Sequence, residues 1–142
     1  MSFILKYDET NPLAIEAYAQ RLIGKSFADV CEEDDISQIK VVRKNDNYVV
    51  SHENKKRKGG LGEIIEERFF HYQCNNSSRP DFDKAGVELK VTPYKINKNG
   101  SIVAKERLII TMIDYFAVVN EKFEESHLWN KARLILLVYY LY

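Results

Sequence analysis

Apolar residues recur at helical spacing in two stretches of the first half of the chain. The first stretch begins after Asn11-Pro12, an N-cap residue followed by proline at the first helical position, and ends at Gly24. The second begins at Leu61, where apolar residues at i, i+3, i+4 and i+8 share one face and two glutamates four residues apart face away. Both patterns predict amphipathic helices, and Ser26 to Cys31 predicts a short helix between them.

Alternating or β-branched stretches predict strands. The clearest is Val87 to Val91, in which apolar and charged residues alternate, so Glu88 and Lys90 lie on the same side of a half-buried strand. The remaining predictions are a hairpin within 36–50, a turn at 97–100, a strand at 107–113, a mostly helical stretch at 114–131 and a very apolar strand at 133–142.

Composition places the chain among ordinary globular proteins. It has 142 residues, of which 45% are hydrophobic and 30% charged, which predicts one domain over 1–142. No apolar run reaches the roughly 18 residues that a membrane helix needs, so we expect a cytoplasmic protein without a membrane partner. Cys31 and Cys74 form no CxxC pair, so we expect reduced thiols and no zinc site. The apolar ending without a polar tail suggests an N-terminal fragment of a longer protein.

Charge is segregated along the chain, although the net charge is zero. Six basic residues stand against two acids between Arg43 and Lys58, and again between Lys84 and Arg107. The first segment overlaps with Ser51 to Gly60, a stretch without apolar residues that predicts an exposed mobile loop. Both segments are compatible with an anionic partner, and equally with solvated loops.

One group of residues has the chemistry that phosphodiester hydrolysis requires. Pro80-Asp81 precedes Glu88-Leu89-Lys90, and the two acids are seven positions apart. Two carboxylates can hold a hard divalent ion that neutralises phosphate charge and lowers the pKa of a bound water, and a lysine can orient that water. Alone, this triplet is weakly specific, and Asp83 competes with Asp81 because it also precedes Glu88.

Glu66 is the second candidate carboxylate. On the predicted helix its neighbours are Gly62, Phe69 and Phe70, which places it at the edge of the core rather than with the solvent-facing acids. It would thus be able to join a metal held by the strand acids, while the nearby glycines let phosphate approach closely. The alternative is an ordinary glutamate of an amphipathic helix.

Together these residues resemble two motifs of one enzyme family. The first motif, KGxxGxxxE, is carried by Lys58, Gly59, Gly62 and Glu66. The second, DxxxxxxExK, is carried by Asp81, Glu88 and Lys90. In this order and spacing they resemble the MutH mismatch-repair endonuclease and the related GATC-cutting type II restriction endonucleases. The stretches 85–93, 99–100 and 105–108 look closer to the restriction branch.

The resemblance implies an α/β fold with a restriction-endonuclease-like PD-(D/E)xK core, a mixed β-sheet flanked by helices. It implies that Asp81 and Glu88 bind Mg²⁺, that Glu66 joins the second metal or its water shell, and that Lys90 assists the attacking water. Asp81 is preferred over Asp83 on spacing and on the preceding proline. The expected DNA contacts are Lys55, Lys56, Arg57, Lys58, Gly59 and Lys131.

The expected function is that of a Mg²⁺-dependent type II restriction endonuclease domain that hydrolyses double-stranded DNA at GATC-like sites. The alternatives are a MutH-type repair enzyme that nicks one strand and a non-catalytic DNA-binding module of a restriction enzyme. Cleavage of both strands would need the remainder of a longer chain or a second copy. The three histidines, His52, His71 and His127, have no metal-type spacing and receive no role.

Overall fold

The computed structural model describes the backbone of residues 5–42, 60–72 and 78–142, with side chains described outside 35–42. The chain divides into two compact units. The first comprises Met1–Arg21 and Asn75–Tyr142, and the second comprises Leu22–Cys74. A single catalytic domain over 1–142 stays a prediction. Among the described helices, none has the length and apolar character needed to cross a membrane.

The first unit opens with the predicted helix. Helix α1 spans Pro12–Ala19 and continues into a 3₁₀ turn, Gln20–Leu22. The Asn11 side chain accepts a hydrogen bond from the Leu13 amide at 3.0 Å, which satisfies one of the amides that a helix N-terminus leaves without an intrahelical partner. The predicted N-cap and the proline after it are therefore confirmed.

The described strands of the first unit form a mixed sheet in the order β2-β1-β3. Strand β1 spans Glu88–Ile96, β2 spans Ile102–Ala104 and β3 spans Ile135–Leu141. The predicted turn at 97–100 joins β1 to antiparallel β2, and Gly100 adopts a φ of +82° that favours glycine. Strand β3 pairs in parallel with β1, from Glu88 opposite Ile135 to Tyr94 opposite Leu141. This mixed sheet, with helices before its first strand and between its second and third strands in the chain, confirms the α/β class.

The connection from β2 to β3 differs from the prediction. None of the described strands includes residues 107–113, and side chains such as Met112, which is 89% exposed, face solvent. The predicted strand is wrong: an apolar run forms a strand only where another strand pairs with it, and the described sheet β2-β1-β3 contains no pairing for this segment. The connection then contains helix α4 at Tyr115–Val118, a 3₁₀ turn at Phe123–Glu125 and helix α5 at His127–Ala132.

Helix α2 of the second unit is longer than predicted. It spans Phe27–Val42, so the predicted hairpin strand around Ile39 and Val41 is wrong, while 43–50 lie outside the described residues. Ser26 and Asp29 exchange two hydrogen bonds across the first turn, at 2.7 and 3.1 Å. Once a helix is started in this way, β-branched residues cost only a few tenths of a kcal/mol each, so the helix continues through them.

The amphipathic helix predicted to begin at Leu61 divides into two parts. Helix α3 spans Leu61–Ile64 and is followed by a π-turn, Ile65–Phe69, in which the Phe70 amide bonds the Ile65 carbonyl at 3.0 Å. Ile65 and Phe69 are buried and Glu63 is exposed, as the apolar pattern predicts. The loop predicted at 51–60 lies outside the described residues except for Gly60.

Candidate active site

A tight turn brings Asp81 back alongside the start of β1. Phe82 and Val87 bond each other through both backbone amides, at 2.8 and 3.2 Å, and close a turn between them. Gly86 completes this turn with a φ of +70°, and a Cβ at this position would lie 2.8 Å from Nη2 of Arg133. Glycine is favoured here by its backbone conformation, whereas the guanidinium, at the end of a flexible side chain, could shift to make room for a Cβ.

Asp81 and Glu88 are joined by two hydrogen bonds that run in opposite directions. The Asp81 amide donates to Oε2 of Glu88 at 3.2 Å, and the Leu89 amide donates to Oδ2 of Asp81 at 2.9 Å. Glu88 is 2% exposed and Asp81 is half-buried. The seven-residue spacing in the sequence thus becomes a pair of adjacent carboxylates, each oriented by a main-chain amide.

Two lysines approach the same oxygen of Glu88. Nζ of Lys90, which lies two residues along β1, is 3.0 Å from Oε1, and Nζ of Lys131, from α5, is 3.8 Å from it. Both lysine side chains are about one-fifth exposed, whereas that of Glu88 is almost fully buried. Burial of a charged carboxylate is costly unless it is paired, and here two ammonium groups and an amide compensate for that cost.

The donors present are compatible with a divalent cation that shares its coordination with water and substrate. Asp81 and Glu88 supply hard carboxylate oxygens, the ligands that Mg²⁺ prefers. Within 5–42, 60–72 and 78–142, no group of three or more histidine, cysteine, aspartate or glutamate side chains is arranged to hold a metal ion. Mg²⁺ is commonly bound through one or two carboxylates together with substrate phosphate, so these residues fit such an ion without an all-protein cage.

Asp83, the competitor of Asp81, has a different environment. Its carboxylate pairs with Nη1 of Arg79 at 3.1 Å, and its side chain is 53% exposed. The structure therefore brings Asp81, and not Asp83, to Glu88. Whether Asp81 acts in catalysis stays a prediction.

The remaining predicted site residues belong to different parts of the chain. Glu66 lies half-buried in the π-turn of the second unit, at the core edge that the sequence predicts. Lys131 joins Glu88. The remaining predicted DNA contacts, Lys55, Lys56, Arg57, Lys58 and Gly59, lie outside the described residues.

Sequence reasoning missed a buried carboxylate and its two partners in the second unit. The Asp34 side chain is 1% exposed, and its two oxygens lie 3.1 Å from Nη1 of Arg68 and 3.6 Å from Nδ1 of His71. Asp34 belongs to an acidic run, which favours a solvated face. Its position four residues after buried Val30 places it on the apolar stripe of α2, and that spacing is the signal that indicates burial.

A cavity of about 420 Å³ opens beside Lys131 in the first unit. The connection between β2 and β3 supplies its lining, which includes Thr111, Asp114, Ser126 and His127. The Asp114 and Ser126 side chains cap α4 and α5 and thereby hold the two walls of the cavity in place.

Comparison with known proteins gives two findings. The family described as the DNA mismatch repair enzyme MutH matches residues 70–142, a range that includes Asp81, Glu88, Lys90 and Lys131 and begins after Glu66. The type II restriction enzyme Sau3AI of Staphylococcus aureus is 42% identical over 88 residues, which are 62% of this chain. The matched stretch covers 18% of the length of that enzyme, so this chain spans only a small part of it.

Proposed function

Because this chain belongs to the MutH family, we propose that it is the catalytic part of a Mg²⁺-dependent endonuclease that hydrolyses double-stranded DNA. The observation that carries the proposal is the pair of Asp81 and Glu88, joined through main-chain amides, with Lys90 and Lys131 at the same carboxylate oxygen. The identity with a type II restriction enzyme favours the restriction branch, with cleavage at GATC-like sites in the cytoplasm.

Phosphodiester hydrolysis requires that a water attack phosphorus while negative charge builds on the phosphate oxygens. A bound Mg²⁺ ion supplies charge neutralisation and a more acidic water. Asp81 and Glu88 would hold this ion. The ammonium group of Lys90, held 3.0 Å from Glu88, donates hydrogen bonds that orient the attacking water and stabilise the charged oxygens.

Lys131 has a looser contact with Glu88, at 3.8 Å, than Lys90 has. Turning its ammonium group towards a DNA phosphate therefore costs less, and we assign Lys131 to phosphate contact. We assign the same role to Lys55, Lys56, Arg57 and Lys58, and close backbone approach to Gly59, on the net positive charge of their segment. Glu66 is proposed as a further acidic group at the metal.

A second candidate function is a repair endonuclease that nicks one strand. The description of the matching family as a mismatch repair enzyme favours this repair endonuclease. The identity with a restriction enzyme favours the restriction endonuclease proposed above. A DNA-binding module without catalysis is less well supported, because Asp81, Glu88 and Lys90 are all present. Double-strand cleavage needs two cuts, so we propose that a second copy or further chain takes part.

The proposal is tested by incubating a plasmid that contains GATC sites with the protein, in Mg²⁺ and in chelator. The variant is Glu88→Gln, which keeps an acceptor for the Asp81 amide and so avoids an empty buried site. The control is Glu106→Ala, at an exposed position. We expect discrete fragments from the wild type and the control in Mg²⁺, and none from Glu88→Gln.

Equal cleavage by Glu88→Gln, or cleavage in chelator, would contradict the metal-dependent mechanism. Nicked circles confined to hemimethylated plasmid would support the repair candidate instead. Binding without cleavage in every condition would favour the DNA-binding module.

A further inference from the structure

The buried cluster of Asp34, Arg68 and His71 has no part in the chemistry proposed above. Asp34 lies on α2, whereas Arg68 lies in the π-turn and His71 follows it. One oxygen of Asp34 lies 3.1 Å from Arg68 and the other lies 3.6 Å from His71. A single carboxylate of α2 thus contacts both the π-turn and the residue just beyond it.

The backbone that Asp34 contacts is in an unusual conformation. A π-turn is rare and is frequently found at functional sites. His71 has a φ of +57°, in the left-handed region that residues with a side chain seldom adopt. Such conformations persist only where surrounding contacts hold them, and the two contacts of Asp34, with Arg68 and with His71, fall within this segment.

Glu66 lies in the same π-turn, two residues before Arg68. Its carbonyl accepts the Tyr72 amide at 3.2 Å, and the neighbouring Ile65 carbonyl accepts the Phe70 amide at 3.0 Å. The backbone position of Glu66 is thereby linked to the segment that ends at His71. A change in the contacts of Arg68 and His71 would therefore act on the backbone that carries Glu66.

We propose that Asp34 is a positioning residue for Glu66, which it holds through Arg68 and His71. The inference rests on the proposed function, because it takes Glu66 to be an acidic group of the nuclease site. Partners of this kind behind a metal-binding residue typically change activity or metal affinity by 10- to 100-fold. The competing explanation is that the cluster only stabilises the second unit.

A double-mutant cycle on the cleavage rate separates the two explanations. We expect Asp34→Asn to lower the rate about tenfold. In the Glu66→Gln background the same substitution should cause no further loss, because the group that Asp34 positions is already gone. Equal losses in both backgrounds, or no loss in either, would overturn the inference.

The matched control on the same helix is Glu33→Gln. Glu33 forms an exposed ion pair with Lys25 at 2.6 Å, and such pairs contribute little to stability. This variant should cleave at the wild-type rate. A loss equal to that of Asp34→Asn would show that removing any acid of α2 is harmful and would overturn the positioning role.

Asp34→Asn removes the carboxylate that contacts Arg68 and His71, and this loss can impair folding. The second variant is therefore Arg68→Met, at a side chain that is 38% exposed. It should reproduce the loss, and Arg68→Lys should restore part of the activity because it keeps a cation near Asp34. Equal rates for the two Arg68 variants would contradict the ion-pair mechanism.

Hydrogen exchange gives a readout that does not depend on DNA cleavage. The amides of Phe70 and Tyr72 should exchange about tenfold faster in Asp34→Asn than in Glu33→Gln, because their hydrogen bonds close the π-turn. If the wild type cleaves no DNA, the proposed function fails. Hydrogen exchange alone then decides whether Asp34 holds the π-turn through Arg68 and His71. Unchanged exchange at both amides would overturn it.

Discussion

Two segments of the molecule carry the acids of the proposed site, and different contacts hold them. Asp81 and Glu88 are oriented by main-chain amides at the start of β1, where this strand pairs with β3. Glu66 lies in a π-turn in which the side chain of Arg68 pairs with Asp34. Main-chain amides orient the carboxylates of the first segment, whereas pairing between side chains holds the second segment.

This difference has a consequence for sensitivity to substitution. Backbone hydrogen bonds persist when a side chain is replaced by one of similar shape, so conservative changes at the strand should alter chemistry and leave the geometry. A turn that depends on an ion pair is vulnerable to a single substitution away from the acid itself. Substitutions that test the strand segment should therefore replace the acids themselves. Substitutions that test the turn segment should replace the residues that contact the turn, such as Asp34.

The largest effect is expected from Asp81→Asn compared with Asp83→Asn. Asparagine at 81 still accepts the Leu89 amide but no longer offers a charged metal ligand, and metal stabilisation of the transition state contributes several kcal/mol. We expect at least a hundredfold loss of cleavage rate at saturating Mg²⁺. Asp83→Asn is the matched control and should cleave at nearly the wild-type rate, because Asp83 pairs with Arg79 at the surface. The reverse order of the two variants would assign the role to Asp83.

A smaller effect is expected when positive charge is removed from the segment that precedes α3. Replacing Lys55, Lys56 and Arg57 by glutamine removes three candidate phosphate contacts. Each lost contact should reduce the slope of log affinity against log salt by about 0.9, so the triple variant should flatten it by up to about 3. Titration of labelled duplexes at several salt concentrations measures this slope. Loss confined to one DNA sequence would contradict simple phosphate contact.

The sequence predicts the strand segment well, and the reason is physical. Alternation of apolar and charged residues from Val87 to Val91 reflects one buried face, so it determines which side chains share a side. The spacing of Asp81 and Glu88, with a glycine in the intervening turn, then matches a close pair in the structure. The strand predicted at 107–113 is absent from the structure, because local propensity does not tell which segments pair within the sheet.

The turn segment shows where sequence reasoning stops. A single turn with hydrogen bonds between residues five apart leaves no periodic pattern in the sequence. The sequence of the π-turn at Ile65–Phe69 therefore resembles that of an ordinary α-helix. Position on the apolar stripe indicates that Asp34 is buried. Its partner Arg68 is 34 residues away, and no local pattern identifies such a partner.

The smallest effect is expected at the start of α2, the helix that carries Asp34. Hydrogen bonds from the backbone amide and hydroxyl of Ser26 hold the pKa of Asp29 below its usual range. A carboxyl whose pKa is lower in the folded state stabilises that state above its unfolded pKa, and the contribution is lost as pH falls through the folded pKa. Asp29→Asn should therefore slightly lower the free energy of unfolding in urea at neutral pH, and the difference from wild type should vanish in strong acid. Glu32→Gln, an exposed change farther along α2, is the control. A destabilisation by Asp29→Asn that is the same at both pH values would mean that its charge has no part in starting the helix.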